Sequence, residues 1–319
     1  MIEVIFSRSR AHRSIFPELA VEYRRFNPRR PRYPFESGPY ELAIALRGCD
    51  VAARALTGAS ASGGRGYLSL FYADGADSGA AILNAIISKH REWGSAAVEG
   101  PVSHDYLDYG RGALCAGDPS DASALNASNP LWYESLFLDC GFSRKSEFLA
   151  YRVSLESPAA SRCLEAGDWA ARRFGFAFNS VGASESFACD RVRAIEDAPR
   201  LFYAARRDPV HMSLKRLGEI RGGARCAFIN KNGVDAGYAV VLPDGNDRAR
   251  IATACVSPRF RRGGAAVSLM AGVIRECALG GVRELDLSII DSSNDASRRF
   301  AASAGGEISH VYRDFIRAL

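Results

Sequence analysis

The stretch Ala252-Thr-Ala-Cys-Val-Ser-Pro-Arg-Phe-Arg-Arg-Gly-Gly-Ala-Ala-Val-Ser-Leu-Met270 decides how the rest of the chain is read. It opens as a strand ending at Val256-Ser257-Pro258 and turns through Arg261, Arg262, Gly263, Gly264, Ala265 and Ala266. It then continues as a helix through Leu269, Met270, Val273 and Ile274. The first amides of a helix lack intrahelical acceptors and stand at the positive end of its dipole. Small residues at 263–266 let an anion approach those amides, and two arginines add charge, so the junction is a natural pyrophosphate seat. The spacing is neither the GxGxxG of dinucleotide-binding folds nor the Gly-Lys-Ser/Thr of a P-loop. A glycine-rich turn that binds nothing is the plain alternative.

Outward from this junction, the pattern predicts a hairpin of residues 226–229 and 236–242 around Lys231-Asn232-Gly233, where Asn-Gly supplies the positive-φ turn. Strands at 250–256 and 283–290, helices at 265–278 and 295–303, and a last strand at 310–316 complete that half. Upstream, a strand at 174–178 and helical regions at 190–205 and 211–220 are predicted. The first half carries β-type runs at 40–46, 51–56 and 67–72, a helix at 80–93 and a short strand at 96–98. An irregular Asp-, Ser- and Gly-rich insertion at 103–128, a helix at 131–140 and a strand at 147–153 follow. Residues 154–162 (Ser-Leu-Glu-Ser-Pro-Ala-Ala-Ser-Arg) are small, polar and interrupted by proline, which predicts a linker. The expected fold class is α/β with a mixed sheet, in two domains spanning 1–156 and 163–319.

Length and composition agree with that division. The 319 residues are 47% hydrophobic and 24% charged, as in a globular chain of two average domains. The formal charge of +5 suits an anionic small ligand or a modest nucleic-acid contact and demands neither, and nucleic acid is not the expected partner. Lysine stands only at 89, 145, 215 and 231, which leaves arginine 37 of the 41 basic residues. Arginine is the better bidentate partner for phosphate, yet a joint excess of Ala, Gly and Arg is also what GC-rich coding DNA produces. The longest apolar runs, around 80–87 and 236–242, fall well short of the roughly 18 residues of a membrane span. The arginine-punctuated start has no secretory pattern. Eight dispersed cysteines without a CxxC pair and five scattered histidines predict reduced thiols and no metal site, hence a cytoplasmic protein. A monomer or a homodimer fits equally.

The segment Val256-Ser-Pro, then Phe260-Arg-Arg-Gly-Gly-Ala-Ala266, resembles the acyl-CoA signature of the GNAT superfamily of N-acetyltransferases, Arg/Gln-x-x-Gly-x-Gly/Ala. Asn294-x-x-Ser297-x-x-Phe300-Ala301-x-x-x-Gly305 resembles that superfamily's next helix. The resemblance covers roughly 174–319 and implies a cofactor site of Cys255, Val256, Arg261, Arg262, Gly263, Gly264, Ala265, Ala266, Asn294 and Phe300, with acetyl-CoA or another acyl-CoA as co-substrate and no metal. It implies that a backbone N–H near Val256, where the sheet splays, polarises the thioester carbonyl, that Asn294 contacts the CoA arm, and that Phe300 packs its helix. Two positions depart from the pattern. The usual tyrosine, often the acid that reprotonates the thiolate, is Ala301, and the usual phenylalanine after Gly305 is Gly306.

The first half echoes the plan weakly. Gly100-Pro-Val-Ser103, Ser128-Asn-Pro-Leu-Trp-Tyr-Glu134, Cys140-Gly-Phe142 and Ala150-Tyr-Arg152 resemble the amino half of bacterial tandem-GNAT proteins. Where a phosphate turn should stand, the sequence reads Ala73-Asp-Gly-Ala-Asp-Ser-Gly79, whose two carboxylates repel phosphate. The first domain is therefore expected to be a degenerate GNAT fold that shapes the acceptor site or an interface.

Acyl transfer to an amine needs a polarised carbonyl, a deprotonated amine and a leaving thiolate. Asp291, at a strand end facing the site by resemblance, is the candidate base, with Asp286 within the same strand as another charged group. Asp291 equally reads as part of a helix cap with Ser292, Ser293 and Asn294. Tyr312 is the candidate acid in place of the missing tyrosine, or else a packed aromatic. Cys255 suits a covalent intermediate, or an ordinary buried strand thiol. His104 and Tyr106 are candidate acceptor-pocket residues, and Arg29, Arg30 and Arg32 form a basic loop or a solvated face. The expected activity is acyl-CoA-dependent transfer of an acetyl or other short acyl group to an amine of a small molecule. The alternatives are a non-catalytic acyl-CoA-binding module and an aminoacyl-tRNA-dependent tandem-GNAT transferase.

Overall fold

The computed structural model describes residues 2–7, 40–59, 64–102, 112–123, 126–183, 188, 191, 192, 195 and 223–319. Residues 27–34, 104, 106, 189 and 211, most of the predicted insertion, and nearly all of the helical regions at 190–205 and 211–220 lie outside these.

The chain divides into two compact units, Met1–Phe148 with His310–Leu319, and Leu149–Ser309. These spans differ from the expected 1–156 and 163–319 at both borders. Residues 154–162 are not a linker. Ser157 accepts a hydrogen bond from the Ala160 amide at 3.1 Å, and Pro158 is the first helical residue, where a missing N–H costs nothing. The same small, polar, proline-bearing residues that suggest a break are thus a helix start. The helix runs to Gly175, which closes it at φ +72°.

In the first unit, strands β1 (Ile2–Ser7), β2 (Tyr40–Arg47), β3 (Asp50–Ala59) and β4 (Arg65–Ala73) form antiparallel neighbours. Helix α1 (Ala76–Glu92) leads back to β5 (Ala97–Gly100), parallel to β4. Strand β6 (Ala113–Ala116), helix α2 (Tyr133–Asp139) and the start of β7 (Ser143–Ser154) follow. Ile82, Leu83, Ile86 and Ile87 put one face of α1 into the core, at about 1.5–3 kcal/mol for each side chain removed from water. That core also holds Leu68, Val98 and Phe137, and Phe315 of the last strand stacks on Phe137 with ring centroids 4.9 Å apart.

The second unit contains the end of β7, helix α3 (Pro158–Phe174), and strands β8 (Phe176–Gly182), β9 (Arg225–Lys231), β10 (Val234–Pro243) and β11 (Arg248–Val256). Helix α4 (Ala265–Leu279), strand β12 (Glu284–Asp291), helix α5 (Asp295–Ser303) and the start of β13 (Glu307–Ala318) complete the described elements. β8 to β11 are antiparallel in order, the β9–β10 turn carrying Asn232 at φ +52° and Gly233 at +77°. β12 then joins parallel to β11. The result is a mixed α/β sheet, as expected.

Helices α3 and α4 pack closely because their shared face is small. The buried residues of α3 are Ala160, Cys163, Gly167 and Ala170. A Cβ on Gly167 would fall 2.2 Å from the Ala271 methyl and 2.8 Å from the Val267 carbonyl oxygen. Ser268 Oγ donates to the Gly167 carbonyl at 3.3 Å across the same contact.

Candidate functional site

β11 and β12 pair only where Arg248–Ile251 meets Glu284–Leu287. β11 continues to Val256 and β12 to Asp291, so the two parallel strands part and run on without pairing to each other. Burial follows the opening: Ile251 and Ala252 are buried, whereas Ala254 is exposed and Thr253, Cys255 and Val256 are half-buried. The splay expected near Val256 is therefore a feature of this sheet.

Beyond Val256 the chain makes a short 3-10 turn (Pro258–Phe260) and enters α4 with Gly264 as its cap residue at φ +75°, a left-handed conformation that favours glycine. Glycine is required there twice over, since a Cβ would also lie 2.8 Å from the Ala170 methyl of α3. No side chain caps α4. The first helical bond is Ser268 N–H to the Gly264 carbonyl, and the amides of Gly264, Ala265, Ala266 and Val267 have no backbone acceptor among the described residues. Gly263 is open: a Cβ there would meet nothing closer than 3.8 Å. Arg261 Nε donates to the Val256 carbonyl at 3.1 Å and ties the turn to the strand end, and both Arg261 and Arg262 are exposed. This set of donors and small residues fits a pyrophosphate.

The proton-handling candidates are placed differently. Asp291 is exposed, and its Oδ1 accepts from Ser293 N at 2.9 Å and Ser293 Oγ at 2.6 Å. Asn294 is the cap of α5, accepting from Ser297 N at 3.1 Å. Asp291 is thus a turn-holding carboxylate beside a capping asparagine. Asp286 is fully buried, accepts from Arg152 Nε at 3.2 Å, and stands in register with buried Arg250. Tyr312 is fully buried and belongs to the first unit. Phe300 is half-buried, and the residue α5 buries is Ala301, at 0% exposure. A tyrosine side chain at 301 would therefore need space that this packing does not leave. Cys255 is half-buried and stands opposite Tyr238 in the β10–β11 register.

At the first unit's corresponding junction, between β4 and α1, the cap residue Gly75 is extended at φ −167°. Asp74 accepts from Arg47 at 2.8 Å and from Ser78 Oγ at 2.6 Å, and Asp77 sits in the first helical turn. A groove of about 450 Å³ opens beside it, with Asp77, Asp139 and Arg317 among its lining. The helix end is already supplied with carboxylates. Among the described residues no group of three or more His, Cys, Asp and Glu side chains is arranged to hold a metal ion. No described helix is long and apolar enough to cross a membrane.

Sequence reasoning missed α3's part in the site. Ala170 and Phe174 flank the Gly264 cap. The signal was available in the spacing 160, 163, 167, 170, but its residues are too small to register as a hydrophobic stripe.

The model of the acetyltransferase (GNAT) family matches residues 181–305. No curated protein matches the sequence. Among solved structures, a tandem GNAT protein from the clavulanic acid biosynthesis pathway, solved without AcCoA, aligns over 100% of this chain and 98% of its own at TM-score 0.62 and 12% identity. A GCN5-related glucosamine N-acetyltransferase region of a fungal multi-domain GH3 beta-N-acetylglucosaminidase aligns over 99% of this chain and 38% of its own at TM-score 0.61 and 12% identity. A GCN5-related N-acetyltransferase from Sphaerobacter thermophilus aligns over 99% and 95% at TM-score 0.50 and 14% identity. At such identities the structures speak to fold alone. Residues 181–305, the span that matches the acetyltransferase (GNAT) family model, hold both the parted strands and the uncapped turn. Along its whole length the chain follows the fold of the tandem GNAT protein above.

Proposed function

We propose that the chain is an acyl-CoA-dependent N-acyltransferase whose second unit binds the donor and transfers a short acyl group to the amine of a small molecule. The observation that carries this reading is the alignment of the β11–β12 parting with the uncapped Gly263–Gly264 entry to α4. In that arrangement the amides of residues 264–267 hold the pyrophosphate, with Arg261 and Arg262 adding charge. The thioester lies between the parted strands, where a backbone N–H near Val256 meets the developing oxyanion. The incoming amine attacks the carbonyl carbon, the C–S bond breaks, and the thiolate departs. Asp291 is a turn-holding group, and the amine's proton leaves to water.

A second reading, an acyl-CoA-binding module without turnover, is favoured by one observation: the position of the usual acid is the fully buried Ala301. Calorimetric titration with acetyl-CoA, longer acyl-CoAs and free CoA, followed by thiol-release assays over a panel of amines, separates the two. Donor binding with turnover supports the transferase. Binding without thiol release supports the module. No binding of any of them overturns both, and strong salt-dependent tRNA binding in their place supports an aminoacyl-tRNA donor.

A further inference from the structure

The end of α3 overhangs the front of α4. Ala170 sits against the Gly264 cap, and Phe174, one turn further along, lies 3.6 Å from the Cβ direction of Gly264. Trp169, 58% exposed, meets the Phe174 ring edge-on with centroids 5.9 Å apart. Indole is costly to leave in water, and here the large exposed aromatic stands next to a helix start rather than on a random stretch of surface. The surroundings are basic. Arg172 and Arg173 lie in the last turn of α3 and Arg259 and Arg262 in the turn before α4; all four are exposed and none forms an ion pair among the described residues. Of the two acidic residues on α3, Asp168 is paired with Arg275 at 2.6 Å, and exposed Glu165 lies one turn before Trp169, further from Arg172 and Arg173 along the helix.

A flat aromatic ring beside unpaired guanidinium groups matches one kind of ligand group: a planar base attached to phosphates. The ring offers a stacking face and the arginines offer charge for phosphate. Resting on the acyl-CoA reading above, we infer that Trp169, backed by Phe174, is the stacking platform for the adenine ring of the donor. Arg172 and Arg173 supply charge for the phosphate on its ribose. The pyrophosphate held at residues 264–267 then serves as the pivot, with pantetheine running into the parted strands and the nucleoside turning toward α3. Trp169 is a binding residue of the nucleotide end and takes no part in the acyl transfer itself.

The test uses the full chain and two donors, acetyl-CoA and acetyl-pantetheine, which carries the same thioester without the nucleotide. Trp169→Ala is expected to weaken acetyl-CoA binding at least about fivefold, the lower end of what losing one base–aromatic stack costs. The KM for acetyl-pantetheine should not move. Trp169→Phe keeps a ring and should retain most of the affinity, while losing the fluorescence quenching that CoA or adenosine 3′,5′-bisphosphate causes in the parent protein. Unchanged acetyl-CoA affinity in Trp169→Ala overturns the inference while leaving the acyl-CoA reading intact. Equal weakening of both donors also overturns it, because a merely structural role would act on both. Failure of the parent protein to bind CoA removes the reading and the inference together.

Discussion

The two strand-to-helix junctions, β4 into α1 and β11 into α4, perform the same local manoeuvre with opposite electrostatics. Each ends a strand, turns through glycine and starts a helix without a side-chain cap. At the first, the cap is extended and Asp74 and Asp77 occupy the positive end of the helix, Asp74 held there by Arg47 and Ser78. At the second, the cap is left-handed, the adjoining residues are glycine and alanine, and the nearby charges are arginines. A helix start seeks negative charge either from its own chain or from a ligand. The first junction satisfies that demand internally and the second leaves it open, which is why one unit reads as a scaffold and the other as a binding unit.

The sharpest way to break the contrast is to give the second junction the first one's carboxylate. Gly263→Glu is expected to raise the dissociation constant for CoA by two orders of magnitude or more, since a like charge about 4 Å from a phosphate near a protein surface costs about 4 kcal/mol. Thermal unfolding should be nearly unchanged, because Gly263 is not left-handed and has room for a side chain. Gly264→Glu is the less clean block, since the left-handed cap and the Ala170 methyl would strain the fold as well. A calorimetric titration that finds Gly263→Glu binding CoA like the parent would remove the second junction from the site.

Acid should separate the units next. His90 is fully buried at the end of α1, its Nε2 2.7 Å from Thr57 Oγ1 and its Nδ1 3.1 Å from Ser95 Oγ. The Thr57 hydroxyl gives its proton to the Tyr67 carbonyl at 3.0 Å, so it accepts from Nε2–H, and Nδ1 accepts from Ser95. The ring is thus neutral, and burial pushes its pKa down from 6.5 to about 4. In the unfolded chain the same ring takes up a proton near pH 6.5. Between those values the unfolded state binds more protons, so stability falls as pH drops from about 6.5 to about 4, by about 3 kcal/mol at the acid end. The other described histidine, His310, also lies in the first unit. Denaturant titrations against pH should show the first unit losing stability, and His90→Gln should flatten that slope.

A smaller effect tests the scaffold behind the second junction. Gly167→Val overfills the α3–α4 contact and should cost about 1–3 kcal/mol in urea unfolding, with weakened CoA binding because α4's first turn is displaced. Smallest of all is Asp74→Ala. It removes a partly exposed ion pair and the Ser78 bond, should cost about 1 kcal/mol or less, and should leave CoA affinity where it was. A gain or loss of affinity in that variant would mean that the first junction takes part in donor binding after all.

Much of the fold was legible because it is written in large residues. Ile82, Leu83, Ile86 and Ile87 announce α1, Asn232-Gly233 announces the hairpin, and the Val256–Ala266 turn announces the site. What was not legible is written in small or distant ones. α3 buries alanine, cysteine and glycine, so its amphipathic face is nearly silent, and its Ser157-Pro158 start is chemically indistinguishable from a linker until its capping bond is seen. Asp286 looks available in a strand, but a single residue pattern cannot show that Arg152, 134 positions away, has engaged it. Asn129 and Asn294 each stand ahead of a helix, yet they play different parts. Gly141 and Gly305 both close helices at positive φ, while Asn129 bridges to the Leu114 amide at 2.7 Å instead of capping.

The membership of the last ten residues in the first unit has a consequence for biosynthesis. Phe315, Ile316, Arg317 and Ala318 pair with Gly100, Glu99, Val98 and Ala97, and Arg313 bonds both Glu134 and Glu147. Residues 149–309 hold the second unit entire, so on the ribosome that unit can close first. The amino-terminal unit, although begun earlier, waits with β5 lacking this neighbour until residues 310–319 have been made. In this chain the order of synthesis and the order of completion run in opposite directions, and a nascent chain halted just before residue 310 would carry a finished second unit behind an unfinished companion.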